Sequence, residues 1–311
     1  MDGYICLDIG GTNIRAALFS LTGITPVEHL RIQTIVEGQK VVERVIELIS
    51  AIWPKKGKIH AIAAAAPGYV DSQKGIVLSA VNIPGWSNLP LRKILRNKFN
   101  VPVLLENDAR LAAMGEWRHG SARGHHDVLY LTISTGIGGG VIINDKVLKG
   151  SRGMATELGH ITLLPDGPLC SCGHRGHLEA LSSGPAIARF VLEELQNGVG
   201  STLTYDPNLS SKEVAEAARK GDSLAKKAFD RAGEYLGLAL SNFIHIFNPT
   251  CVVLGGGVSL TGKLLLQPVR SALHDYILNK EYLNKLSLVT AELGDNAGLI
   301  GALTLIKTSK K

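Results

Sequence analysis

The sequence predicts an α/β protein made of two related halves, on three observations. Short apolar runs alternate with stretches of helical periodicity along the chain, the pattern of strands interleaved with helices. A unit of strand, glycine-rich turn and strand over residues 4–19 returns over residues 128–143. Set side by side without gaps, the apolar strands of the two units coincide, and Gly10-Gly11-Thr12 falls opposite Ser134-Thr135-Gly136. No stretch rich in Pro, Gly or Ser separates the halves, which are expected to face each other across a cleft.

The first unit reads YICLDIG, a turn, then NIRAALF. Residues 41–53 suit a helix with Val41, Val45, Leu48, Ile49 and Ile52 on one face. Residues 60–66 form a continuous apolar run, short enough for a buried strand, closed by the turn signal APG. A helix over 91–99 and a strand over 101–105 follow, and a helix from Asp108 to Trp117 begins where that strand ends. Beyond the second hairpin come helices over 185–196, 211–219 and 223–247, then a buried strand over 251–254 that runs into Gly255-Gly256-Gly257. Helix, strand and a closing helix over 297–307 complete the pattern. Polarity rises over 119–126. Residues 1–118 are therefore expected to form a smaller α/β domain and 119–296 a larger one, with 297–311 packing back on the first.

At 311 residues the chain has room for two domains. The formal charge is +6 and the pI about 9.1, but Lys and Arg are scattered, and no aromatics interleave the runs at 54–58 and 307–311. A solvated face explains them, so no nucleic-acid partner is expected. Of the four cysteines, Cys6 and Cys251 sit in strand-like runs and read as small buried hydrophobes. With no disulfide framework, a reducing, cytoplasmic setting is expected. The opening MDGYICLDIGG lacks the basic start of a signal peptide, and no run approaches the roughly 18–20 apolar residues of a membrane span.

DIGGTN, residues 8–13, follows a strand. Gly10 and Gly11 let backbone amides approach an anion, and Thr12 adds a hydroxyl. Asp8, at the strand end, is placed to hold a hydrated Mg²⁺ beside phosphates. STGIGGG at 134–140 repeats the device; a tight hairpin turn is the plainer reading of each. There is no G-x-x-x-x-G-K-[ST] phosphate loop, and a strand rather than a helix follows GIGGG, which excludes a Rossmann unit. In ENDAR, 106–110, Asp108 stands at a helix start, where a carboxylate serves as a cap or faces a cleft. APGYVD and NIPGW read as turns that could line a pocket.

The richest stretch is ELGHITLLPDGPLCSCGHRGHLE, residues 157–179. His160, Cys170, Cys172 and His177 supply two imidazoles and two thiols, a set that closes a tetrahedral zinc site, with His174 competing for the fourth place. Glu157 and Glu179 flank the set without being needed as ligands. Spare carboxylates beside a structural metal suit a clamp for a molecule bearing hydroxyl groups; a zinc-stapled loop is the plainer reading.

DIGGTN, APGYVD, NIPGW, ENDA, STGIGGG, ELGH, CSCGHRGHLE and LGGGVS occur in the order found in the ROK family of sugar kinases and sugar-responsive repressors, which the chain resembles from residue 5 to about residue 305. The resemblance implies an α/β, two-domain actin-like ATPase (ribonuclease H-like) fold with a cleft between the domains. It implies Asp108 as catalytic base, Asn107 as a sugar-hydroxyl partner, and Glu157, His160 and Glu179 as further sugar ligands, with Gly68 in a turn beside them. It places Asp8, Gly10, Gly11, Thr12, Asn13, Thr135 and Gly136 at the phosphates and Gly255 and Gly256 on the adenosine side. His160, Cys170 and Cys172 match zinc ligands, and His177 stands where the family usually has a third cysteine. Asn13 stands where many members have lysine, which leaves phosphate neutralisation to Mg²⁺ and the backbone. Arg110 stands where a second asparagine is common.

The implied activity is ATP-dependent phosphorylation of a hexose, glucose to glucose 6-phosphate, with Mg²⁺ accompanying ATP and Zn²⁺ in a structural role. APGYVD, GIVLSAVNIPGW and NLPL resemble the glucokinases of the family, while DIGGTNIR and CSCG also resemble its N-acetylmannosamine kinases. An N-acetylmannosamine or N-acetylglucosamine kinase is therefore the alternative. The family's regulators carry a DNA-binding domain before the DxGGT motif, which here begins at residue 8. A sugar-sensing regulator without such a domain is the remaining alternative. A homodimer or homotetramer is expected.

Overall fold

The computed structural model describes residues 1–80 and 82–309. In the first half, β1 (Gly3–Ile9), β2 (Asn13–Ser20) and β3 (Glu28–Gln33) pair antiparallel. After α1 (Val41–Ile52), β4 (Ile59–Ala66) joins β1 in parallel. A small antiparallel ribbon follows, of β5 (Tyr69–Asp71), β6 (Ile76–Ser79) and β7 (Ser87–Leu89). Then come α2 (Leu91–Phe99) and β8 (Val103–Asn107), which completes the order β3-β2-β1-β4-β8. Side chains of β1 alternate as the pleat requires. Ile5, Leu7 and Ile9 enter a core shared with α1 and α2, while Tyr4 and Cys6 enter a second core on the opposite face.

The second half repeats this plan. β9 (Val128–Ile133), β10 (Ile137–Ile143) and β11 (Lys146–Val147) are antiparallel; β12 (Cys251–Gly255) and β13 (Ser287–Thr290) add in parallel, giving β11-β10-β9-β12-β13. Three antiparallel strands and two parallel ones thus occur twice, as the repeated hairpin predicts. The gapless comparison is wrong by one residue beyond the turn. Ile9 pairs with Ile14, leaving 10–13 in the first turn, whereas Ile133 pairs with Ile137, leaving only 134–136 in the second. Ala17 therefore corresponds in space to Gly140. Between β11 and β12 lie α4 (Leu178–Ser182), α5 (Gly184–Gln196), α6 (Ser211–Arg219) and the 25-residue α7 (Ser223–Phe247). The last of these packs on α8 (Lys263–Tyr276).

The final helix of each half packs on the sheet of the other. α3 (Asp108–His119), which continues from β8, lies on β9 and β10; α9 (Ala297–Thr308), which follows β13, lies on β1 and β4. Both helices are buried on every side, Ala109–Trp117 and Ala297–Ile306 without a break, as expected of helices wedged between two layers. They touch through glycine. A Cβ on Gly301 would collide with Leu111 O, and one on Gly115 would lie 2.6 Å from Ala297 O. Glu116, fully buried, holds both chain crossings. It accepts from Ser121 N (2.9 Å) and Glu292 N (3.1 Å) at Oε2 and from Leu293 N (2.8 Å) at Oε1.

The strand expected at 101–105 runs instead from Val103 to Asn107. Pro102 has no N–H for the ladder and contributes only its carbonyl, which accepts from Ile62 N at 2.9 Å. The strand thus ends directly against α3, with no loop between Asn107 and Asp108. Among the described residues no helix is long and apolar enough to cross a membrane.

Candidate active site

The β8–α3 junction decides what Asp108 can do. Asn107, not Asp108, caps the helix: its Oδ1 accepts from Arg110 N at 3.1 Å, the usual role of an N-cap side chain. Its Nδ2 donates to Gly68 O at 3.1 Å. Gly68 has φ +77°, and a Cβ there would collide with Ser79 O, so the turn beside the site requires glycine. Asp108 Oδ1 takes the N–H of Ala109 at 2.8 Å. Beneath it, the fully buried Glu106 accepts from Asn107 N at Oε1, and Arg110 Nη2 lies 3.0 Å from the same oxygen. Lys149 Nζ lies 3.0 Å from Oε2, an ion pair without hydrogen-bond alignment. Arg110 itself is 1% exposed and turned to this carboxylate.

Burial pushes the Asp108 carboxyl up to about 7, and the nearby Asp8 and Glu157 add to the rise. This is well above the ordinary carboxylate range, so an unperturbed value near 4 does not apply to this group. Asp8 is also raised by burial, opposed by Arg15, whose Nη2 lies 2.8 Å from Oδ2. Glu157 is raised by burial while His160 and Arg110 hold it down.

The glycine turns differ in their surroundings. Gly10 N donates to Asn13 O at 2.9 Å, Thr34 Oγ1 donates to Gly10 O at 2.6 Å, and Thr34 N donates to Thr12 O at 2.9 Å, so the first turn is braced from β3's end. A Cβ on Gly11 would lie 3.1 Å from Asn82 Cβ. In the second turn a Cβ on Gly136 would lie 2.5 Å from Glu179 Oε2, which accepts from Ile137 N at 3.0 Å. Glu179 Oε1 accepts from Ser171 Oγ at 2.6 Å, so one carboxylate ties the Cys-rich loop to the glycine turn.

The glycines of β10 make room on both faces. On Gly138 and Gly140, Cβ atoms would lie 2.8 Å from Ala109 Cβ and 2.5 Å from Ala113 Cβ of α3. On Gly139 a Cβ would lie 2.6 Å from Leu158 Cδ1, and one on Gly159 would collide with Ile137 O. The strand is thus sandwiched between the helix that bears Asp108 and the 3-10 turn Leu158–His160.

His160, Cys170, Cys172 and His177 come together, with one ligand atom from each within 4.8 Å of every other. Cys170 Sγ lies 3.7 Å from His160 Nδ1 and Cys172 Sγ 3.2 Å from His177 Nδ1. His174 stacks on the His177 ring outside this group of four. Burial holds His177 below its ordinary pKa, in the neutral form that binds metals.

A mainly apolar cavity of about 600 Å³ opens beside Ser134 and Thr135. Gly184, Pro185 and Ala188 of the α5 start line it, with Leu209, Lys212, Ala215 and Arg219 around α6 and Gly257, Val258, Leu260 and Thr261 beyond β12. Gly255 and Gly256 do not line it. A Cβ on Gly255 would meet Tyr130 Oη at 2.6 Å, and Gly256 has φ +81°. The α5 and α6 residues are missed by sequence reasoning, because only LGGGVS and the hairpin turns carry a local signal. Tyr69, on β5, is also missed. Its hydroxyl pKa is raised by burial and then by the charges of Glu157, Cys172, Cys170 and Glu179.

This arrangement, two duplicated sheets with a glycine turn in each and a carboxylate at a helix start between them, is the actin-like ATPase fold. The ROK family model matches residues 4–309, and the chain belongs to the ROK family. It is 37% identical over 310 residues to a glucokinase of Thermotoga maritima, covering 97% of this chain and 96% of that one. The crystal structure of a ROK family glucokinase from Streptomyces griseus, in complex with glucose and AMPPNP, matches with a TM-score of 0.82 at 33% identity, over 97% of this chain and 98% of that one. A xylose repressor of Caldicellulosiruptor bescii is 30% identical over 97% of this chain and 77% of its own length.

Proposed function

We propose that the protein is an ATP-dependent sugar kinase that converts glucose to glucose 6-phosphate. The observation that carries this is Asp108: released from capping by Asn107, buried, and raised to about 7, it has the proton affinity wanted of a general base near neutral pH. The glucokinases among its relatives support glucose as the sugar.

In this reading the 6-hydroxyl of glucose gives its proton to Asp108 as its oxygen bonds to the γ-phosphorus and ADP leaves. Phosphoryl transfer needs positioning and charge neutralisation more than covalent help. Asn107, Glu157 and Glu179 accept or donate to the remaining hydroxyls. The turns at 10–13 and 134–136 hold the phosphates with backbone amides, and the apolar cavity beside Thr135 takes the adenosine. Mg²⁺, accompanying ATP, would be held near Asp8 and would offset the charge of the triphosphate.

Two thiols and two imidazoles fit Zn²⁺, which would be held by His160, Cys170, Cys172 and His177 and would anchor the loop bearing Glu179. His160 turns Nδ1 to this group, so Nε2 is the nitrogen that keeps its proton for a sugar hydroxyl. A cytoplasmic setting keeps both thiols reduced. We assign residues 1–118 with the closing segment from 297 to the smaller domain and 119–296 to the larger; residues 310 and 311 lie outside the described residues.

An ADP-release assay across a panel of hexoses tests the reading. Glucose is expected to give the highest kcat/KM. A higher value for N-acetylmannosamine or N-acetylglucosamine would replace glucose while keeping a hexose kinase, and no turnover with any sugar would favour a sensor. Elemental analysis is expected to find one zinc per chain, lost in Cys172→Ser together with thermal stability. Full zinc in His177→Ala would move the fourth ligand to His174 or a water.

A further inference from the structure

Thr156, immediately before Glu157, has φ +71°. A β-branched residue in the left-handed region is an outlier, and such residues persist only where the surroundings hold them. The surroundings do hold this one. Its Oγ1 donates to Gly139 O of β10 at 3.2 Å. Ala155 N donates to Lys149 O at 3.1 Å, closing the loop upstream on itself. Gly153, at φ +71°, lies against Ser72, where a Cβ would sit 3.3 Å from Oγ, and Lys149 is paired with Glu106. The loop from the second half is thus braced on the first half at two points and on its own sheet at the third. After Thr156 the chain passes straight into the 3-10 turn, where His160 N donates to Glu157 O at 3.1 Å.

We propose that Thr156 is a positioning residue for sugar binding: its hydroxyl, tied to Gly139, holds the backbone in the left-handed turn that aims Glu157 at the substrate. This rests on the reading of Glu157 as a sugar ligand. The hydroxyl selects a conformation that threonine alone avoids. Without it, the residue relaxes to an extended or helical φ, and Glu157 leaves the sheet in another direction.

Three variants test this by steady-state kinetics with glucose and ATP varied separately, alongside thermal melting. Thr156→Val keeps the bulk and removes the hydroxyl. It is expected to raise KM for glucose on the order of 10-fold, within the roughly 100-fold that a misplacement of about 1 Å can cost, and to leave KM for ATP within about twofold. Thr156→Ser keeps the tether and is expected to stay near the native KM. Thr156→Gly accepts a positive φ without steric cost but loses the tether. It is expected to melt no lower than the native protein while its glucose KM rises, a split that a purely structural residue would not show. Should Thr156→Val fail to fold, Thr156→Gly decides alone. A native-like glucose KM in both Val and Gly variants, or a raised KM in Ser, overturns the proposal. Lack of glucose turnover by the native protein would instead overturn the glucokinase reading.

Discussion

The two hairpins share a plan and differ in what surrounds them. β2 carries Arg15-Ala16-Ala17 after its turn: Arg15 closes on Asp8, and Ala17 packs into the core beneath α9. β10, at the matching positions, carries Gly138-Gly139-Gly140 and is pressed between α3 and the Glu157–His160 segment. The two turns are equivalent in place, but only the second is followed by three glycines, which let α3 pack on one face of β10 and Leu158 on the other. The IGGG run, which looks like an extension of a phosphate turn, is a packing device: its glycines bring the helix that bears Asp108 and the segment that bears Glu157 and His160 close to opposite faces of one strand.

The largest expected effect lies on α3. Asp108→Asn is expected to lower kcat by about 10²- to 10⁴-fold with little change in glucose KM. In the native enzyme kcat/KM is expected to fall below pH of about 7, where Asp108 takes up a proton. The same shift sets a stability trend. The folded carboxyl titrates near about 7 and the unfolded one near 3.8, so the folded state holds the extra proton between them and stability falls as pH rises through that window. Asp108→Asn should therefore melt higher than the native protein at pH of about 8, with the gain vanishing below about 4. Near-native turnover in this variant would leave the carboxylate without a role as base.

A smaller effect contrasts the hairpins directly. Gly140→Ala installs in β10 the residue that β2 already has at Ala17, with its Cβ 2.5 Å from Ala113 Cβ. Overpacking of this kind typically costs about 1–3 kcal/mol, and here it also displaces the base, so melting temperature and kcat should fall together. In Gly11→Ala the nearest approach among the described residues is to Asn82 Cβ at 3.1 Å, and its melting temperature should change least. If the two substitutions proved equally damaging to stability, the packing account of the glycine strand would be wrong.

What was legible in the sequence had a local signature. The apolar runs, the turn glycines, Asn107-Asp108 at a strand end and the His–Cys spacing over 160–177 each leave a pattern within one short stretch of chain. The one-residue offset between the hairpins was hidden, because Asn13 reads equally well as turn or strand and only the pairing of Ile14 decides. β5, β6 and β7 are strands of three or four residues, too short to show alternation. The lining around α5 and α6 comes from residues 184–219, brought to the Ser134 turn by packing on α7 rather than by any motif. Thr156 was illegible for the opposite reason: its residue type argues against the conformation it adopts.

The crossing of α3 and α9 bears on how the protein is made. One face of the first sheet, with Tyr4, Cys6, Phe19 and Ala63, is covered by Leu299, Leu303 and Ile306 of α9. During synthesis α3 supplies the early part of that cover, through Leu111 and Met114, but the part under α9 stays open until residue 297 and beyond are made. A chain stopped short of residue 297 would leave that part of the sheet uncovered, an apolar surface of the kind that makes incomplete chains prone to aggregate.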